Sequence, residues 1–134
     1  EPLAAELDCI SLHTYPVWEF HTIEGAIDYT RENYRSVADH YPDKPIVITE
    51  AGWTTSSNGR GIEPWNASQE FQAHYYSQII DWSNEHQVLT FIFEAFDEPW
   101  KGDPNNPQGA EKHWGVFFVD RTPKQVMESA AAGD

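Results

Sequence analysis

Basic residues are scarce. Eight Lys and Arg face 22 Asp and Glu, for a formal charge of −14. Nucleic acid and anionic membrane surfaces both need a basic face, so neither is expected as a partner. Cysteine is nearly absent as well. A lone Cys9 excludes an internal disulfide and leaves the redox compartment unread. Set in an apolar run, it is expected to be a buried structural thiol. No apolar run approaches the ~20 residues that span a bilayer, so membrane insertion by this segment is not expected, and no leader pattern is seen at Glu1-Pro2. The six histidines are scattered, without His-x-His or His-Glu-x-x-His spacing. Asp103-Pro104-Asn105-Asn106 lacks the correctly placed glycine and glutamate of an EF-hand loop. No metal is therefore expected, and no cofactor. A Gly-x-Ser-x-Gly elbow is missing, which disfavours a serine hydrolase. Aromatics are what the chain has in quantity, at 14%. An acidic, aromatic-rich surface suits a neutral partner such as carbohydrate.

Three apolar runs alternate with two long helical patterns. Leu7 to His13 reads as a first strand, ended by the loop that carries Tyr15, Pro16 and Trp18. Glu24 to Tyr41 reads as a helix, with Ile23, Ala26, Ile27, Thr30, Tyr34, Val37, Ala38 and Tyr41 on one stripe. Ile46 to Glu50 is the second strand, its continuous apolar character predicting burial on both faces. Asn66 or Ser68 caps the next helix, Gln69 completing a capping box with Asn66. Phe71, Tyr75, Ile79 and Trp82 form its buried stripe. Asn66-Ala67-Ser68 also matches a glycosylation sequon, but capping is the preferred reading. Val88 to Phe93 is the third strand. His113 to Val119 is a short extended return, Thr122-Pro123 opens a last helix with proline at its first position, and Ala130 to Asp134 read as frayed.

The strands start near residues 7, 46 and 88, a spacing of about 40 residues. Eight such units would need roughly 320 residues, within the range of an enlarged (β/α)8 barrel. No Gly-rich phosphate loop follows any strand, which argues against an open dinucleotide-binding sheet. The fold class predicted is α/β, with residues 1–134 forming one partial TIM-barrel domain, a C-terminal fragment. Its two open edges predict self-association.

Each later strand delivers carboxylates and a tryptophan at its C-terminal end, the active-site face of such a barrel. Glu50 comes with Gly52 and Trp53. Glu94, Asp97 and Glu98 come with Trp100. Retaining glycoside hydrolysis needs two carboxyl groups about 5–5.5 Å apart, one to attack the anomeric carbon and one to protonate the leaving oxygen. Strand ends hold carboxylates firmly enough for that work.

Ile48-Thr49-Glu50-Ala51-Gly52-Trp53 resembles the nucleophile motif of glycoside hydrolase family 17, the β-1,3-glucanases and related glucanosyltransferases. The family usually has threonine where Ala51 stands and proline where Thr54 stands. The segment Phe93 to Lys101, then Glu111, then Trp114-Gly115-Val116-Phe117, is similar to the family's strand-8 segment. Asp8 to Pro16 is similar to its strand-6 segment. The resemblance implies barrel strands 6 to 8, with Glu50 as nucleophile at the end of strand 7. It implies a charged cluster of Glu98, Lys101 and Glu111, whose lysine lowers a carboxylate pKa. Tyr15, Trp18, Trp53 and Trp100 are implied as sugar platforms or orienters, with Glu94 also among the substrate-binding candidates. The resemblance implies a β-glucan partner with β-1,3 linkage, in an extracytoplasmic location.

One departure matters. The family's general acid is a glutamate preceded by asparagine on strand 4, and no strand end here carries that pair. Asn84-Glu85 falls near a helix end. The fragment is therefore expected to hold the nucleophile without the acid, and to be inactive or weakly active. Two other readings remain: a glucanosyltransferase of the same family, and a non-catalytic glucan-binding fragment using Trp18, Trp53, Trp65, Trp100 and Trp114. A binding module tolerates Glu50→Gln, whereas a nucleophile does not.

Overall fold

A computed structural model describes residues 2–131 of the chain. Its elements are α1 (Pro2–Ala5), β1 (Ile10–Thr14), α2 (Ile23–His40), β2 (Ile46–Ala51), α3 (Gln69–His86), β3 (Thr90–Ile92) and α4 (Gln125–Ala131). Single 3-10 turns at Pro64–Asn66 and Ala110–Lys112 punctuate the two long loops. The three strands form one parallel sheet in the order β1-β2-β3. This is an α/β unit consistent with part of a barrel wall. The frayed end predicted from Ala130 lies mostly outside the described residues.

The helices cover one face of the sheet. Ile23, Ala26, Ile27 and Thr30 of α2 and Tyr75, Tyr76, Ile79 and Trp82 of α3 meet Ile48 and Ala51 of β2 in a single core. Tyr34 packs edge-on against Trp82 at 5.3 Å, and the Thr30 and Tyr75 hydroxyls meet at 2.8 Å inside the layer. Burial on both sheet faces, as predicted for β2, is not what forms. Ile46, Ile48 and Ala51 are buried while Val47, Thr49 and Glu50 are partly open, and in β1 Ser11 and His13 are exposed. Only the helix-facing side is covered. Cys9 is exposed for the same reason, which corrects the buried thiol expected from its apolar neighbours.

A local signal set the start of α3. The Ser68 side chain accepts a hydrogen bond from the Phe71 N–H at 3.0 Å and caps α3. Such a cap contributes about 1 kcal/mol. Asn66 has no part in that cap. It is 5% exposed, and its Nδ2 donates to the His21 carbonyl while its own carbonyl accepts from Trp53 Nε1. Gln69, assigned to a capping box, instead accepts from the Gln125 N–H. Pro123 is not in the last helix. It bridges to Phe117, and α4 begins at Gln125.

β2 carries one residue more than either neighbour. Across the step from Leu12 to His13 in β1, its partner jumps from Ile48 to Glu50. Against Thr90 and Ile92 of β3, it runs from Ile48 to Ala51. This is a bulge at Thr49–Glu50. Strict alternation would keep Glu50 on the buried face with Ile46 and Ile48. The extra residue reverses the phase and aims Glu50 to the side of His13.

Candidate active site

Glu50 leaves the sheet among groups from β1 and the loop after it. The Tyr15 hydroxyl donates to Glu50 Oε2, and His13 Nδ1 lies 3.3 Å from the same oxygen. Burial, then the bonded Glu50 carboxylate, raises the Tyr15 pKa, so the phenol stays protonated and remains a donor. Tyr15, Trp18, Glu50, Phe93, Glu111 and Trp114 line one cleft of about 230 Å³. Trp114 is its buried floor. Tyr15 meets that indole edge-on at 5.2 Å, and Trp18 lies 6.1 Å from it at a tilt of 33°.

The post-β3 segment builds the adjoining wall. Lys101 Nζ lies 3.0 Å from Glu94 Oε2, pairs with Glu98, and sits 4.6 Å over the Phe93 ring. The Glu94 pKa is pushed up to about 7, chiefly by burial, against the pull of Lys101. Glu98 is shifted down by its bond to Lys101. Burial works against the Lys101 ammonium, but hydrogen bonds to Glu98 and Glu94 outweigh it and raise the lysine pKa. Of the implied cluster, Glu98 pairs with Lys101, and Glu111 lines one recess with Lys101 as well as the Glu50 cleft; Glu94 joins them as a second carboxylate on the lysine.

Two tryptophans fall elsewhere. Trp53 is 0% exposed, its Nε1 donating to the Asn66 carbonyl at 2.9 Å, so it offers no ring face to a sugar. Trp100 is 69% exposed and lines no part of this cleft. Gly52 matters for close approach. A Cβ there would collide with the Phe93 carbonyl oxygen, because the ends of β2 and β3 touch at that point.

Sequence reasoning missed the groups that hold the two loops together. Gln72, buried in α3, aims Nε2 at the carbonyls of Trp53, Trp114 and Gly115, at 2.9 to 3.2 Å. Lys124, 0% exposed, donates to Asp97 Oδ1 at 2.7 Å and to Thr55 Oγ1 at 2.8 Å. Asp97 Oδ1 also accepts from the Gly115 N–H. The return segment pairs with the post-β3 chain: Val116 N–H donates to the Glu94 carbonyl and Asp97 N–H to the Phe117 carbonyl, both at 2.9 Å. No local pattern signals a buried lysine, since its partners lie up to 69 residues away.

The family model of the BtgE/BtgC glycoside hydrolase domain matches residues 1–115. The chain belongs to this glycoside hydrolase family. A glucan 1,3-β-glucosidase of Saccharomyces cerevisiae is 34% identical over 127 residues, covering 90% of this chain and 40% of the relative. The solved endo-laminarinase from Formosa superposes with a TM-score of 0.84 at 31% identity, over 98% of this chain and 40% of its own. The glycoside hydrolase family 17 β-1,3-glucanosyltransferase from Rhizomucor miehei gives 0.79 at 30% identity, over 92% and 44%. This glycoside hydrolase chain therefore spans about two fifths of the length of these relatives. The resemblance to family 17 drawn from the Glu50 motif agrees with them.

Proposed function

We propose that this chain carries the nucleophile half of a retaining active site for β-glucan, β-1,3-linked as in the substrates named for its relatives. In this reading β1, β2 and β3 are barrel strands 6, 7 and 8. The carrying observation is the bulge in β2, which turns Glu50 into an aromatic cleft where Tyr15 and His13 fix its carboxylate. Both contacts fall on Oε2, so Oε1 is the oxygen assigned to the anomeric carbon. Attack forms a glycosyl ester on Glu50 while a second carboxyl group protonates the departing oxygen. Tyr15, held protonated, keeps its bond to Oε2 as negative charge leaves the carboxylate and returns on hydrolysis. Trp18, resting over the buried Trp114, supplies an apolar ring face for the sugar, and the Glu94–Lys101–Glu98 group supplies polar partners for its hydroxyls. The second carboxyl group is not assigned to a residue of this chain. Asn84-Glu85 sits at the end of α3, beside the start of β3 and not at the C-terminal end of a strand.

Hydrolysis and glucanosyl transfer share this ester and differ in whether water or a sugar hydroxyl attacks it. The relatives include both kinds of enzyme. Because polymeric β-glucan lies outside the cytoplasm, the reading carries an extracytoplasmic location with it.

The test needs no acid catalyst. A 2-deoxy-2-fluoro-β-laminaribiosyl fluoride has a leaving group that departs unprotonated. Glu50 displaces fluoride and retains the sugar as an ester. Intact-mass measurement should show one added disaccharide in the wild type and none in Glu50→Gln. Labelling that persists in Glu50→Gln, or that maps to another peptide, overturns the assignment. A wild type that binds β-1,3-gluco-oligosaccharides without labelling favours the binding-fragment reading.

A further inference from the structure

Asparagine followed by glycine occurs once in this chain, at Asn58-Gly59. Both residues are exposed, on the loop that runs from β2 to α3. The Arg60 N–H donates to Asn58 Oδ1 at 3.4 Å, so the side chain folds forward along its own backbone. A side chain bonded two residues ahead carries its Cγ toward the intervening nitrogen, and Gly59 has no Cβ to shield that nitrogen. The Gly59 N–H reaches Ser57 Oγ at 3.2 Å, on the exposed surface.

The other asparagines are better protected. Asn33 and Asn84 lie inside α2 and α3, where the following N–H belongs to the helix ladder. Asn66 is buried. Asn105 is followed by an N–H that donates to the Asp103 carbonyl at 3.0 Å. Asn106 precedes Pro107, whose nitrogen carries no hydrogen to lose.

The loop around Asn58 is short and held at both ends. Ser57 Oγ donates to the Ile62 carbonyl at 2.5 Å, and Ile62 is buried in the core. Within the loop, Gly61 lies so close to Trp18 that a Cβ there would come within 2.5 Å of the ring. Trp18 is a wall of the Glu50 cleft. An atom added to the main chain between Ser57 and Ile62 meets little slack. It shifts Gly61 and loosens the indole resting on it.

We infer that Asn58 is a site of spontaneous modification, converting with Gly59 to aspartate and isoaspartate, and that the isoaspartate form disturbs Trp18. Hydroxide takes the Gly59 amide proton, and the nitrogen attacks Asn58 Cγ. The Cγ–Nδ2 bond breaks, and ammonia leaves with a proton from water, which returns the hydroxide. A cyclic imide remains. Water opens it at Cγ to give aspartate, or at the Asn58 main-chain carbonyl to give isoaspartate, whose chain runs through Cβ and Cγ. The second product lengthens the main chain by a methylene. Both place a new carboxylate in the recess that Asn58 shares with Arg60 and Asp103, which face each other at 3.7 Å. The inference stands whatever ligand the Glu50 cleft takes.

The experiment is to age the chain in mildly alkaline buffer and sample it over time. Peptide mass reads the exchange of amide for acid, and isoaspartyl methyltransferase counts the isoaspartate. The Trp18 indole N–H resonance, assigned with Trp18→Phe, is followed in the same samples. The control is Asn58→Gln, whose longer side chain closes the ring far more slowly. Gly59→Ala cannot serve, because a φ of +87° strains any side chain there. Expected is loss of the amide at Asn58 ahead of every other asparagine. A second Trp18 resonance should grow in step with the isoaspartate, and both should be absent in Asn58→Gln. Freshly made Asn58→Asp, which adds only the charge, should leave the Trp18 resonance in place. No conversion at Asn58, or earlier conversion at another asparagine, overturns the site. Isoaspartate at Asn58 with an unmoved Trp18 resonance overturns its link to the cleft. A shift in Asn58→Asp as large as that on ageing overturns the main-chain cause.

Discussion

Lys124→Met should be among the most damaging single changes in this chain. The ammonium is fully buried and bonded to Asp97 Oδ1 at 2.7 Å, Thr55 Oγ1 at 2.8 Å and the His113 carbonyl at 3.3 Å. Methionine nearly matches the side chain in volume, so the change isolates the charge. It strands the Asp97 carboxylate, 6% exposed, with the Gly115 N–H at 3.0 Å and, farther off at 3.8 Å, His113 Nδ1 as its remaining partners. Removing one partner of a buried pair costs about 3–5 kcal/mol, mostly because the other charge stays behind. Adding Asp97→Asn removes that charge while keeping an oxygen for Gly115. The double variant should therefore recover about 2 kcal/mol or more over the sum of the single effects. Urea unfolding followed by tryptophan fluorescence measures this. With a slope of about 2 kcal/mol per molar, a loss of 4 kcal/mol moves the midpoint down by about 2 M. A loss below about 1 kcal/mol for Lys124→Met, or simple additivity in the double variant, would refute the reasoning.

Three further outcomes follow from the geometry. Glu94 has its pKa raised from the ordinary 4.5 to about 7, so the folded state keeps a proton that the unfolded chain has already released. Its contribution is full below pH 4.5, is lost as pH rises towards 7, and amounts to about 3 kcal/mol at most. A pH series of urea unfolding should show that decline in the wild type and not in Glu94→Gln, and equal slopes would contradict it. Gly52→Ala should destabilise by about 1–3 kcal/mol or more, because its methyl group meets the Phe93 carbonyl rather than a side chain that can turn aside. Thermal unfolding decides that one. Asn66, buried and bonded to the His21 carbonyl at 2.9 Å, should stay unglycosylated when the chain is secreted from a glycosylating host. A glycan found at Asn66 by peptide mass would mean that the turn before α3 opens in the native protein.

The elements most legible in the sequence are those whose signal is local. The stripe from Ile23 through Thr30 made α2, the apolar run after Pro45 made β2, and the Ser68 hydroxyl stopped α3 from starting earlier. The strand-end position of Glu50 and the motif around it were also readable, because chain order alone puts a carboxylate after that run. Burial was readable along the helix stripes but not in the loops. Trp53 and Trp18 look equally fit for a sugar face, yet one fills the core beside Tyr75 and the other lines the cleft. Glu94 gave no sign in the sequence that it would bond Lys101, and the course of the loop brought the two together.

By itself, then, the sequence determined which segments pair and pack, and which carboxylates arrive at strand ends. Periodicity and capping act between residues a few positions apart. Only the tertiary structure decided which way those carboxylates point and what surrounds them. Glu50 faces Tyr15 because the extra residue in β2 is absorbed against strands on both sides, and the two residues are 35 positions apart. Glu94 holds its proton to about pH 7 because other segments remove water from it. Register and desolvation are properties of neighbours brought from elsewhere in the chain, so no local pattern can encode them.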